Sequence, residues 1–102
     1  GVQETVALLD TGFTGELKIS PSIAKEMGMD ISHTERVMLG DERVVNMPAA
    51  LALVSMGGIR NVVNVLIGQG ETMIGVGLLR RFGYVLTADF RRGTLILNNS
   101  DL

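Results

Sequence analysis

Gly57-Gly58 divides two runs, residues 49–56 and 59–67, that are both dense in Val, Leu and Ile. Paired glycines accept the positive φ of a tight turn, and β-branched residues favour a pleated surface, so these runs read as a central hydrophobic hairpin. The remaining sequence follows the same pattern on a smaller scale. Residues 2–9 lead into a core through Val6, Leu8 and Leu9, and stop abruptly at Asp10. Asp10-Thr11-Gly12-Phe13-Thr14-Gly15 is a turn by composition, and Leu17 and Ile19 resume a period of two. Ser20 as N-cap, Pro21 at the first helical position and Gly28 as a stop predict a two-turn helix over 21–27. Residues 36–47 predict a hairpin whose arms, Val37-Met38-Leu39 and Arg43-Val44-Val45, flank a polar tip at Gly40-Asp41-Glu42. After a loop over 68–72, residues 77–82 form a short helix closed by Gly83, and residues 84–88 and 94–97 make a final hairpin around Arg91-Arg92-Gly93.

Many short strands with one or two brief helices, and no strand–helix–strand alternation or repeat, predict an all-β, barrel-like domain. At 102 residues the chain forms one domain over 1–102, too small for two lobes, so any cleft between lobes must come from oligomerisation. Its 46% hydrophobic against 20% charged residues is a globular balance. Nine basic and eleven acidic residues, with no basic block beyond Arg80-Arg81 and Arg91-Arg92, argue against nucleic acid as a partner. The lack of cysteine excludes disulfides, thiol catalysis and thiolate metal sites, and suits a reducing, cytoplasmic compartment. No apolar run approaches the roughly 20 residues of a membrane helix. A start at Gly1 rather than Met suggests a trimmed or processed chain.

Asp10 is the one acidic residue that an apolar strand carries to the edge of a core; Asp30, Asp41 and Asp101 lie in polar loops, and Asp89 precedes a turn. An Asp that ends a strand more commonly bonds nearby backbone amides than performs chemistry. Two such carboxylates facing each other about 3 Å apart would instead share one proton, which equips them for acid–base hydrolysis. His33 is the sole histidine, placed beside Ser32 and Thr34 in an expected polar loop, and reads as a surface residue rather than part of a Ser-His-Asp arrangement. Met27, Met47, Met56 and Met73 occupy apolar-patterned positions and read as core filling.

The order of elements around Asp10-Thr11-Gly12 narrows the choice. A Gly-tipped hairpin, a hydrophobic hairpin ending in Val65-Leu66-Ile67-Gly68, and then Met73-Ile74-Gly75 before Leu78-Leu79 follow in turn. From about residue 6 to 97 this resembles the retropepsin-like aspartic protease family, above all its small prokaryotic members, which often read Asp-Thr-Gly-Phe-Thr-Gly here. The resemblance implies the closed barrel of acid proteases and a homodimer acting on extended polypeptide, with no metal and no organic cofactor. It makes Asp10 the catalytic carboxylate, Thr11 a clamp across the dimer and Gly12 the loop glycine. It also makes Leu39-Gly40-Asp41 the tip of a flap over substrate, with Phe13, Thr14, Ile74 and Gly75 beside the substrate. In the family a hydrophobic-hydrophobic-Gly element packs beneath the catalytic loop, and Met73-Ile74-Gly75 matches it.

Three departures qualify the match. Phe13 and Thr14 stand where retroviral enzymes carry Ala and then acidic residues, so substrate subsites do not transfer. Only nine residues precede Asp10, where the family usually has a further hairpin, which suggests N-terminal truncation. The hairpin over 84–97 exceeds the single terminal strand of retroviral enzymes and is expected to build the dimer interface. A mechanism with one shared proton further implies activity at mildly acidic pH. Two rivals keep the fold without this activity: a non-catalytic dimerising or peptide-binding module, and a regulatory domain whose protease activity matures only after processing.

Overall fold

The computed structural model describes residues 6–39 and 41–99. Eight strands and two helices follow in the order β1 (Leu8–Leu9), β2 (Leu17–Ile19), α1 (Pro21–Glu26), β3 (His33–Met38), β4 (Val44–Met56), β5 (Ile59–Ile67), β6 (Met73–Ile74), α2 (Val76–Phe82), β7 (Tyr84–Asp89) and β8 (Thr94–Asn99). Six strands form one sheet in the order β1-β6-β2-β5-β4-β3, and β7 and β8 pair separately. The all-β expectation holds, with both short helices in place. The expected closed barrel does not: β1 and β3 are the two edges of an open order, and no pairing joins them among the described residues. With only two residues in β1, little strand length is left to close the sheet.

Local signals account for most elements. Ser20 caps α1 through its Oγ, which accepts from the Ile23 N–H at 3.3 Å, with Pro21 behind it and Gly28 at φ 67 past the end. Gly57 and Gly58, at φ 56 and 80, turn β4 into β5. Gly83, at φ 70, stops α2, its N–H donating to Arg80 O at 3.2 Å.

Two expectations are corrected. The expected hairpins over 36–47 and 49–67 share a strand: β4 runs 13 residues without a break, straight through Pro48. Pro48 lies just before the ladder to β5 begins at Ala49, so it is paired in register on the β3 side alone. Odd-numbered side chains face inward from Val45 to Ala49 and even-numbered ones from Ala50 to Met56, the switch falling at the fully buried pair Ala49 and Ala50. His33 was expected in a polar loop; it opens β3 and is half-buried, with Nδ1 2.7 Å from Ser32 Oγ and Nε2 2.9 Å from Asn64 Oδ1. The methionine expectation fares better, since Met27, Met47, Met56 and Met73 are all partly buried.

The core lies between β2, β4, β5 and the two helices, with Ile19, Ala24, Ala50, Val63, Val65, Ile67, Leu78 and Phe82 in contact. Leu78 and Phe82 fall four apart on α2 and face this sheet together.

One feature of the topology positions everything around Asp10. β6 lies between β1 and β2, parallel to the first and antiparallel to the second. The connection from β1 to β2 must therefore pass over the C-terminal end of β6, where Gly75 begins α2. Four backbone bonds seal that crossing: Asp10 N–H to Ile74 O at 3.0 Å, Gly75 N–H to Glu16 O at 3.0 Å, Val76 N–H to Phe13 O at 2.9 Å and Gly77 N–H to Gly15 O at 3.0 Å. Helix α2 has no side-chain cap, so carbonyls of the crossing segment satisfy the N–H groups that a helix start leaves open. The fit leaves no room for a side chain. A Cβ on Gly75 would sit 2.1 Å from Gly15 O and 2.6 Å from Phe13 O.

Replacing Leu78, which is 1% exposed, with Ala should lower the unfolding free energy by about 2–5 kcal/mol, measured by urea denaturation. Gly75→Ala should force the crossing segment off the helix. Its expected signature is loss of amide protection at Val76 and Gly77 in hydrogen exchange, with a destabilisation of about 1–3 kcal/mol.

Candidate active site

Asp10 leaves β1 with its backbone already bonded to β6, and the next residues fold back on it. Phe13 N–H donates to Asp10 O at 3.0 Å, closing a turn, and Gly12 N–H donates to Asp10 Oδ1 at 2.9 Å. The second bond is the side chain-to-backbone closure that Asp favours in turns, and it fixes the carboxylate's orientation. Gly12 matters for close approach, since a Cβ there would lie 3.2 Å from Asp10 Oδ1. Asp10 is half-buried, while Thr11 and Gly12 are exposed beside it. The loop thus offers a held carboxylate, a hydroxyl and bare backbone at one surface.

Phe13 is half-buried and its ring folds toward Gly15 and Gly75, whereas Thr14 is exposed. Ile74 is half-buried and Gly75 buried, both beneath the loop, as the hydrophobic-hydrophobic-Gly pattern implies. A groove of about 190 Å³ runs between residues 12–15 and the strand β3, over Leu66.

The hairpin of β3 and β4 is joined beyond Met38 by bonds among Leu39, Glu42 and Arg43. Leu39 N–H donates to Arg43 O at 2.8 Å and Glu42 N–H to Leu39 O at 2.9 Å, with Glu42 at φ 68. Asp41 is exposed and tied to Arg43 by an Nε–Oδ2 contact of 2.6 Å. Gly40, the third residue of the expected flap tip, lies outside the described residues. The structure therefore brings Asp10, Thr11, Gly12, Phe13, Thr14, Ile74 and Gly75 together, and sets Leu39 and Asp41 on a separate hairpin end.

Sequence reasoning passed over the polar residues that brace this arrangement. Glu16, whose side chain is only 15% exposed, accepts the Asn64 backbone N–H at 2.7 Å through Oε1 and the Arg81 Nε–H at 2.6 Å through Oε2. One side chain thereby joins the end of the Asp10 loop to β5 and to α2. Asn64 continues the chain of contacts, donating from Nδ2 to Glu35 Oε1 at 2.8 Å. Glu16 and Arg81 stand 65 positions apart, and no local pattern marks them as partners.

Comparison with known proteins identifies the family and the fold. The family described as aspartyl protease matches residues 1–81. Among solved structures, that of a retropepsin-like aspartic protease from Rickettsia conorii is similar in fold, with a TM-score of 0.54 and 24% identity over 88% of this chain and 70% of that one. No curated protein matches the sequence. A strand-ending Asp-Thr-Gly loop crossing a hydrophobic-hydrophobic-Gly strand, on a fold shared with a retropepsin-like enzyme and within a matching family over most of its length, places this chain in the aspartyl protease family.

Proposed function

We propose that residues 1–102 act as one aspartic endopeptidase domain that works as a homodimer, with Asp10 of each subunit meeting at a single active site. The observation that carries this reading is the Asp10 loop itself, a carboxylate held by Gly12 N–H at the exposed end of a strand in an aspartyl protease family member. Hydrolysis of a peptide needs a base and an acid at one centre. The other aspartates among the described residues lie after α1, before Arg43 and at the end of β7, and the Glu35 carboxylate across the groove is tied to Asn64 and His33, so this reading takes the partner group from a second subunit.

Two carboxylates brought about 3 Å apart cannot both ionise and hold one proton between them. The ionised member removes a proton from water, whose oxygen attacks the peptide carbonyl carbon. The protonated member donates to the carbonyl oxygen, giving a neutral tetrahedral diol. Proton transfer to the departing nitrogen then releases an amine and a carboxylic acid. Thr11, exposed next to Asp10, is the residue to bond across the axis and hold both loops level. Extended polypeptide occupies the groove between residues 12–15 and β3, with Phe13 and Thr14 on one side. Leu39, Gly40 and Asp41 close from above, and Ile74 and Gly75 support the floor.

The ribbon β7–β8 suits the subunit interface. An isolated two-stranded ribbon is marginal in water. This one exposes Val85, Leu95, Ile96 and Leu97, each at least 43% accessible, so a second copy would cover apolar surface that the single chain leaves open.

Asp10→Asn, which cannot share a proton, should cut peptide cleavage by roughly 10²–10⁴-fold while leaving thermal unfolding unchanged; equal activity in both proteins would rule out this mechanism. In addition, an excess of the Asn variant should poison the wild-type enzyme through mixed dimers, and specific activity should fall on dilution. Activity independent of both treatments would show that one chain suffices.

A further inference from the structure

Glu35 brings a carboxylate to the groove beside the Asp10 loop. It sits within β3, and the period of two turns it, with His33 and Val37, to the half-buried face of the strand. Register carries that face across β4 to Leu66, through Glu35↔Met47 and Ala49↔Leu66, and residues 12–15 form the opposite wall. Arg36 and Met38 alternate to the other face of β3 and are exposed.

The Glu35 carboxylate is held rather than loose. Asn64 Nδ2 donates to Oε1 at 2.8 Å, and His33 Nε2 lies 3.2 Å from the same oxygen. Asn64 is fixed in turn by its backbone N–H to Glu16 Oε1 and by its Oδ1 to His33. Both contacts fall on Oε1. Among the described residues Oε2 takes no hydrogen bond, and the ionic partner of Glu35 is His33, which is charged only when protonated. With 40% of the side chain exposed, a held negative charge lines a groove that Thr14, Arg36, Val37, Met38 and Leu66 also line, and the period of two turns the Arg36 side chain to the opposite face of β3.

We propose that Glu35 selects extended substrates that carry lysine or arginine at the position lying over this groove, an inference that rests on the protease reading above. A basic side chain can lay its aliphatic stem along Val37 and Leu66 while its cationic end reaches Oε2. A neutral side chain displaces water from the carboxylate without replacing those hydrogen bonds, and an acidic one is repelled. In a homodimer the twofold axis repeats the groove, so the preference appears on both sides of the cleaved bond.

The test profiles cleavage of a peptide library by the wild-type enzyme, then compares matched lysine and norleucine peptides at the selected position for wild type, Glu35→Gln and Glu35→Lys. The wild type should favour lysine over norleucine by about tenfold in kcat/KM, a ratio that should collapse toward one in Glu35→Gln. Glu35→Lys should favour a glutamate peptide instead, which a merely structural role for Glu35 would not produce. A wild-type ratio near one, or a ratio unchanged in Glu35→Gln, overturns the inference. If the wild type cleaves no library member, the protease reading fails on its own terms. Fluorescence-anisotropy titration of the same two peptides then decides: tighter lysine binding that Glu35→Gln removes supports the inference, and equal binding overturns it.

Discussion

The donation of backbone N–H groups at the start of α2 to carbonyls of the Asp10 loop is the interaction on which this architecture rests. Val76 and Gly77 would otherwise begin a helix with unpartnered donors, and Phe13 and Gly15 would otherwise leave carbonyls open in a loop. Each need meets the other, at a net value of about 0.5–1.5 kcal/mol per bond and a larger cost if one side is removed. Because α2 is anchored through Leu78 and Phe82 to the sheet, the loop inherits the rigidity of the core. Its absence of a side chain makes Gly75 part of that contact, since the loop carbonyls occupy the space where a Cβ would be.

Around this contact the charged residues form a brace rather than a decoration. Glu16 takes a main-chain donor from β5 with one oxygen and Arg81 with the other, and Asn64 passes the connection on to Glu35 in β3. Loop, central strand, helix and outer hairpin are thus linked by groups that are mostly shielded from water at Glu16 and more open at Arg81. The shielded end contributes most to rigidity, because exposed ion pairs are weak and screened. A groove whose two walls share one set of hydrogen bonds keeps its width better than one whose walls are held separately.

How much of this could be read in advance depends on the range of the interactions involved. Local chemistry was legible: the Gly57-Gly58 turn, the Ser20-Pro21 start, the Gly83 stop and the sudden Asp10 after apolar residues each act through neighbours in sequence. The packing of Met73-Ile74-Gly75 beneath the loop came from family likeness, and no local rule required it. The division of residues 36–47 and 49–56 between two hairpins hid the fact that both hairpins share one strand, which changes its inward face at Ala49 and Ala50. His33 misled because its partner Asn64 belongs to a strand 31 residues away. The pairing of Glu16 with Arg81 and the open order of the sheet are likewise products of tertiary arrangement, invisible to periodicity.

The uninterrupted run of β4 has a mechanical meaning. One end pairs with β3 as far as Val44; the other ends at Gly57, against which the Tyr84 hydroxyl packs so tightly that a Cβ would lie 2.5 Å from it. Tyr84 is the first residue of the β7–β8 ribbon. β4 is therefore one covalent element that reaches from the outer hairpin to the ribbon, seated most deeply at Ala49 and Ala50, where the ladder to β3 ends and the ladder to β5 begins.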